Sequence, residues 1–109
     1  MTGQHFAIDI GEGVDSESEA VTRLRLRGEF DLAAHDTLRA ALTDQGSAKI
    51  IVIDLAEVSL IDAATVSLLF EARVTATGPG RTLQVVGAFG VVHRVLEILD
   101  PSHVLRCGG

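Results

Sequence analysis

Few residues in this chain stand at spacings that support covalent chemistry. The four histidines, His5, His35, His93 and His103, are scattered. No three or four ligands fall at metal-binding intervals. The chain has no G-x-S-x-G elbow, phosphate-binding P-loop, G-x-G-x-x-G or H-E-x-x-H pattern. With no nucleophile–base pair in view, neither an enzymatic activity nor a cofactor or metal is expected.

Asp54 is the most suggestive single acid. It closes an apolar run, and α/β sheets place ligands and phosphoacceptors at the carboxyl ends of strands. A receiver-type acceptor also needs an acidic pair after the first strand and a lysine late in the chain. The only lysine is Lys49, at the start of Asp54's own strand. Asp54 is therefore expected to be a strand-end turn residue. Arg23, Arg25 and Arg27 alternate with Thr22, Leu24 and Leu26, so they line one strand face. Three cations there fit an anion, but a solvated sheet face is the stronger reading. Asp9, on the preceding strand, is expected to pair with one of them. Cys107 is the only cysteine; it excludes an internal disulfide and reads as a surface thiol.

The elements that must position these residues follow from periodicity. His5 to Ile10 alternates, with Phe6, Ile8 and Ile10 on one side, and reads as a half-buried strand. Gly11 to Glu19 is polar and acidic and reads as a loop. Val21 to Gly28 alternates strictly and should form a hairpin with the first strand. Ala33 to Gln45 carries Ala34, Leu38, Ala41 and Leu42 at helical spacing, with Gly46 placed as a C-cap. Lys49 to Asp54 contains Ile-Ile-Val-Ile without alternation, as in a parallel strand covered on both faces.

Ile61 to Ala76 reads as a second helix. Asp62 is its N-cap, and Ile61 and Val66 are placed as a hydrophobic staple. Its first half, Ala63 to Phe70, is small and apolar nearly all round, so it is either buried on most sides or offers an apolar surface to a partner. Gly78-Pro79-Gly80 ends it. Thr82 to Val86 is a strand, and Phe89 to Leu99 a helix stopped by Pro101. Val104 to Cys107 is expected as a last short strand. The order β-β-α-β-α-β-α predicts a single α/β domain over residues 1–109, with a mixed, mostly parallel sheet, an N-terminal antiparallel hairpin and about three helices.

Composition sets the outer bounds. The 109 residues are 47% hydrophobic and 22% charged, with a mean hydropathy of +0.34. That is one domain with a packed core. The longest apolar runs, such as Ile50 to Ile53, are far below the roughly 20 residues that span a bilayer. Neither membrane insertion nor a signal peptide is expected, which favours the cytoplasm. The net charge is -6, with Asp9, Glu12, Asp15, Glu17 and Glu19 all in the first twenty residues. There is no basic stripe, tyrosine or tryptophan, so nucleic-acid binding is not expected.

Two motifs converge on one family. Asp54-Leu55-Ala56-Glu57-Val58-Ser59-Leu60-Ile61-Asp62-Ala63-Ala64-Thr65-Val66, together with Gly28-Glu29-Phe30-Asp31, resembles the STAS domain of anti-sigma-factor antagonists. There a strand leads into V-x-F-I-D-S-S-G-L-G at the start of the second helix. The run Ala88-Phe89-Gly90-Val91-Val92-His93-Arg94-Val95-Leu96-Glu97-Ile98-Leu99 resembles the family's third helix, and the likeness covers roughly residues 5 to 107.

The resemblance implies a STAS fold and a protein partner: an anti-sigma factor of the GHKL kinase type, docked around Asp31, Asp62, Ala63, Thr65 and Val66. A homodimer is a further option. It also implies a switch, because the family's phosphoacceptor directly follows the aspartate and a helix N-terminus holds phosphate well. Here that position is Ala63, followed by Ala64, and neither carries a hydroxyl. Thr65 and Ser67 are the weak alternatives, with Ser59 weaker still. The chain also resembles lone STAS domains that act as subunits of lipid-trafficking ABC transporters, so two readings stand: an antagonist without the usual phospho-switch, or such a transporter subunit or other phosphorylation-independent interaction module.

Overall fold

The computed structural model describes residues 5–14, 16–17, 19–44, 48–76, 82–102 and 104–105. Four strands and three helices follow in the order β1 (Phe6–Val14), β2 (Ala20–Phe30), α1 (His35–Thr43), β3 (Ile50–Ile61), α2 (Ala63–Ala76), β4 (Thr82–Val86) and α3 (Gly90–Leu99), with a short 3-10 turn at Leu32–Ala34 before α1. The sheet order is β1-β2-β3-β4. β1 runs antiparallel to β2, while β2, β3 and β4 are parallel. The expected mixed α/β sheet with an N-terminal hairpin is the one observed.

Several boundaries differ from expectation, those of β1, β3 and the tail the most. β1 continues through Gly11–Val14, because Ala20–Arg23 of β2 are there to pair with them. β3 does not stop at Asp54. It runs on to Ile61 along β2, with register shifts after Asp54 and after Val58. Each shift inserts one extra residue in β3, a β-bulge, so its buried residues Leu55, Val58 and Ile61 fall three apart rather than two. Of the expected last strand only Val104 and Leu105 are described; they form a turn, and the Leu105 carbonyl accepts from the Val85 amide at 2.8 Å. Gly46, Gly78-Pro79-Gly80, His103 and Cys107 lie outside the described residues.

One apolar layer holds the fold together. Leu24 and Leu26 of β2, Ile51, Ile53 and Leu55 of β3, and Leu83 and Val85 of β4 form a continuous core with Leu38, Leu69 and Leu96 from the helices. Each such side chain contributes roughly 1.5–3 kcal/mol by leaving water. The opposite face of the sheet is only partly covered: Ile50, Val52, Gln84 and Val86 are half-buried. This corrects the expectation that β3 is covered on both faces. At Gly28, φ is +93°, and a side chain there would strike the His5 carbonyl. Glycine is required for β1 to close over the end of β2.

Candidate functional site

Asp62 organises one end of the molecule. Its Oδ1 accepts from the Thr65 amide at 2.7 Å, and its carbonyl accepts from Val66 at 3.2 Å. It therefore caps α2 as its sequence position predicted. Ile61 and Val66 are both buried in the core, as a staple requires. His35 Nε2 lies 3.1 and 3.2 Å from the two Asp62 carboxylate oxygens. A carboxylate only accepts, so Nε2 carries the proton in this pair. Burial pushes the Asp62 carboxyl upward. Its interaction with Thr65, and then with His35, outweighs that effect and holds it below its ordinary value. The resulting anion suits the positive end of the helix dipole.

The Phe30 carbonyl receives two donors from this corner, the Asp62 amide and the Thr65 hydroxyl, each at 3.1 Å. Asp31 accepts from the Ala33 amide at 3.1 Å and caps the 3-10 turn. The GEFD segment and the start of α2 are thus joined by backbone and side-chain bonds at one end of the sheet.

The expected contact residues divide by helical phase. Ala63, Ala64 and Ser67 are exposed, Asp31 is exposed, and Asp62 is half-buried. Thr65 and Val66 are 0% and 2% exposed and belong to the core, which corrects their assignment as partner contacts. They face inward with Leu68, Leu69 and Ala72, because residues three and four apart share a helix face. As a phosphoacceptor, Thr65 would have to leave the core and break its bond to Phe30.

Sequence reasoning missed two exposed apolar features, one at this corner and one at the start of α3. Leu32 is 80% exposed, beside Asp31, and Phe89 and Val91 are 65% and 60% exposed at the start of α3. Phe89 and Val91 line a shallow groove with Ala56, Glu57 and Ser59. Leu32 follows a capping aspartate and lies on no periodic stripe, which was the available signal.

Asp54 proves to be structural, but not as a strand end. Its Oδ1 accepts from the Ala56 amide at 2.9 Å, satisfying the bulge, and its Oδ2 accepts from Arg23 Nη2 at 2.9 Å. The Ala56 bond lowers its carboxyl, burial raises it and Arg23 lowers it further, with a net downward shift. Gly87, with φ of +80°, leaves room for that carboxylate, since a Cβ there would lie 2.9 Å from Oδ1. Arg27 pairs with Asp9 at 2.9 Å. Two of the three arginines are thus matched to acids on neighbouring strands, as a solvated face would be. Among the described residues no three acids, histidines or cysteines gather at metal-binding geometry, and no helix is long and apolar enough to cross a membrane.

The family model described as "Mlab, STAS domain" matches residues 14–106, leaving most of β1 outside it. Solved structures share the fold. An anti-sigma factor antagonist from Mycobacterium paratuberculosis is 20% identical with a TM-score of 0.72, covering 93% of this chain and 86% of that one. The phosphorylated form of the Bacillus cell-fate determinant SpoIIAA is 24% identical with a TM-score of 0.62, covering 87% and 86%. A STAS-domain antisigma-factor antagonist from Rhodobacter sphaeroides is 19% identical with a TM-score of 0.57, covering 73% and 86%. No curated protein matches the chain. From the GEFD turn through the Asp62-capped helix to α3, this chain belongs to the STAS domain family.

Proposed function

We propose that this chain is an anti-sigma-factor antagonist-like regulator. It acts in the cytoplasm by binding rather than catalysis, docking on a GHKL-type anti-sigma factor and so freeing a sigma factor. The observation that carries this reading is the exposed, hydroxyl-free pair Ala63–Ala64 on the Asp62-capped start of α2, at the same sheet end as exposed Leu32. Small apolar side chains there let a partner approach closely, and Asp31 and Asp62 offer carboxylates at the rim. The names of the similar solved structures support the same role.

The surface works without the ordinary off-switch. A phosphate with a charge near -2 at this helix start would bind the free amides and repel an apolar partner. Ala63 cannot carry one. The complex therefore persists in ATP. Affinity capture from native lysate, with and without ATP, tests this by mass spectrometry of the retained proteins. Retention of a GHKL-type anti-sigma factor in both conditions is expected, with loss in Ala63→Arg. Release by ATP together with phosphate on Ser67 overturns it.

The missing acceptor also favours a second reading, a phosphorylation-independent module such as the STAS subunit of a lipid-trafficking ABC transporter. Capture of a transporter ATPase in place of the kinase selects it.

A further inference from the structure

β1 is an edge strand, and its backbone polarity can be assigned residue by residue. The Glu29 amide donates to the His5 carbonyl at 2.8 Å, and on the far side of β2 the Ala20 carbonyl accepts from the Lys49 amide at 3.1 Å. In a strand both backbone groups of a residue point the same way, and bonded pairs alternate along an antiparallel ladder. The even residues of β2 therefore face β3 and the odd ones face β1. By the register Phe6↔Gly28 through Val14↔Ala20, Ala7, Asp9, Gly11 and Gly13 bond to β2. Phe6, Ile8, Ile10, Glu12 and Val14 turn their N–H and C=O groups outward. Among the described residues no strand pairs with that edge. Ile10 and Val14, at 53% and 69% exposed, stand above it.

We infer that this edge pairs with β1 of a second copy, antiparallel about a twofold axis at Ile10. In that register Ile10 faces Ile10, Phe6 faces Val14 and Ile8 faces Glu12. Each of these outward-facing pairs exchanges two backbone hydrogen bonds. On the other face Asp9 meets Gly11 and Ala7 meets Gly13, so no like charges are opposed. A twofold at Asp9 would instead set two carboxylates face to face, which is destabilising. The twofold also sends the two acidic hairpin ends, with Glu12, Glu17 and Glu19, in opposite directions. The result is one continuous eight-stranded sheet with a closed, isologous interface.

Sedimentation equilibrium of the full chain from micromolar to millimolar concentration tests the pairing. The wild type is expected to pass from monomer to dimer. Ile10→Lys and Ile10→Glu, each at a half-exposed site, are expected to remain monomeric alone, with circular dichroism and thermal unfolding retained. Mixed in equal amounts they are expected to form a heterodimer, several-fold tighter than either variant with itself, because Lys meets Glu at the axis. In other registers residue 10 faces a different partner and the mixture gains nothing. A wild type that stays monomeric throughout, or a mixture that fails to associate, overturns the proposal.

Discussion

The Thr65 hydroxyl donates to the Phe30 carbonyl at 3.1 Å, across 35 residues of chain. This bond ties the first turn of α2 to the end of β2. Thr65→Val keeps the shape and removes the donor, while Phe30 keeps the Asp62 amide as a partner. The expected loss is about 1 kcal/mol, read from urea unfolding. Loss of several kcal/mol would mean that the hydroxyl organises more of the corner than one bond.

Asp62 sets the acid limit of this corner. Its carboxyl sits below the ordinary value of 3.8 in the folded chain. Above 3.8 its full contribution is present, and as pH falls through the lower folded value the proton is taken up and the contribution is lost. Asp62→Asn keeps a capping side chain but cannot titrate, so its unfolding free energy should fall less steeply with acid in that window. Identical slopes for variant and wild type would assign the acid response elsewhere, with Asp54 next to be tested.

The inner and outer faces of α2 should respond oppositely to a cation. Val66→Arg places an unpaired charge in the core, and a cost of roughly 3–5 kcal/mol is expected, enough to unfold a domain of marginal stability. Ala64→Arg, on the exposed face, should leave thermal unfolding nearly unchanged and weaken partner capture by about 2 kcal/mol if it lies at the centre of the interface. Intact capture by Ala64→Arg would move the docking surface away from this helix.

Leu69 is fully buried on α2. Leu69→Ala should cost about 2–5 kcal/mol in denaturant unfolding, the range depending on how far the cavity collapses. A change below about half a kilocalorie per mole, as for a surface site, would be incompatible with the packing described.

Ala63→Ser should restore an acceptor. Incubation with a GHKL-type anti-sigma kinase and ATP is expected to add one phosphate to the variant and none to the wild type, read by intact-mass spectrometry. Phosphate on wild-type Thr65 would require the first turn of α2 to open.

Local chemistry alone determined much of this protein. Strict alternation marked β2, the β-branched run marked β3, and Asp62 marked the start of α2, because caps and periodicities act over only a few residues. The GEFD and IDAATV segments were enough to suggest the family. Tertiary structure decided what depends on a neighbour. β1 extends through Gly11–Val14 because β2 supplies its partners. β3 passes Asp54 because two bulges reset its pleat, and the resulting three-residue spacing of Leu55, Val58 and Ile61 hides a strand from any period-two search. The phase of α2 was decided the same way. With Ala63 to Phe70 apolar nearly all round, the sequence offered no preferred face. Packing against α1, β4 and α3, with the bond from Thr65 to the Phe30 carbonyl, turned Thr65 and Val66 inward and left Ala63 and Ala64 at the surface.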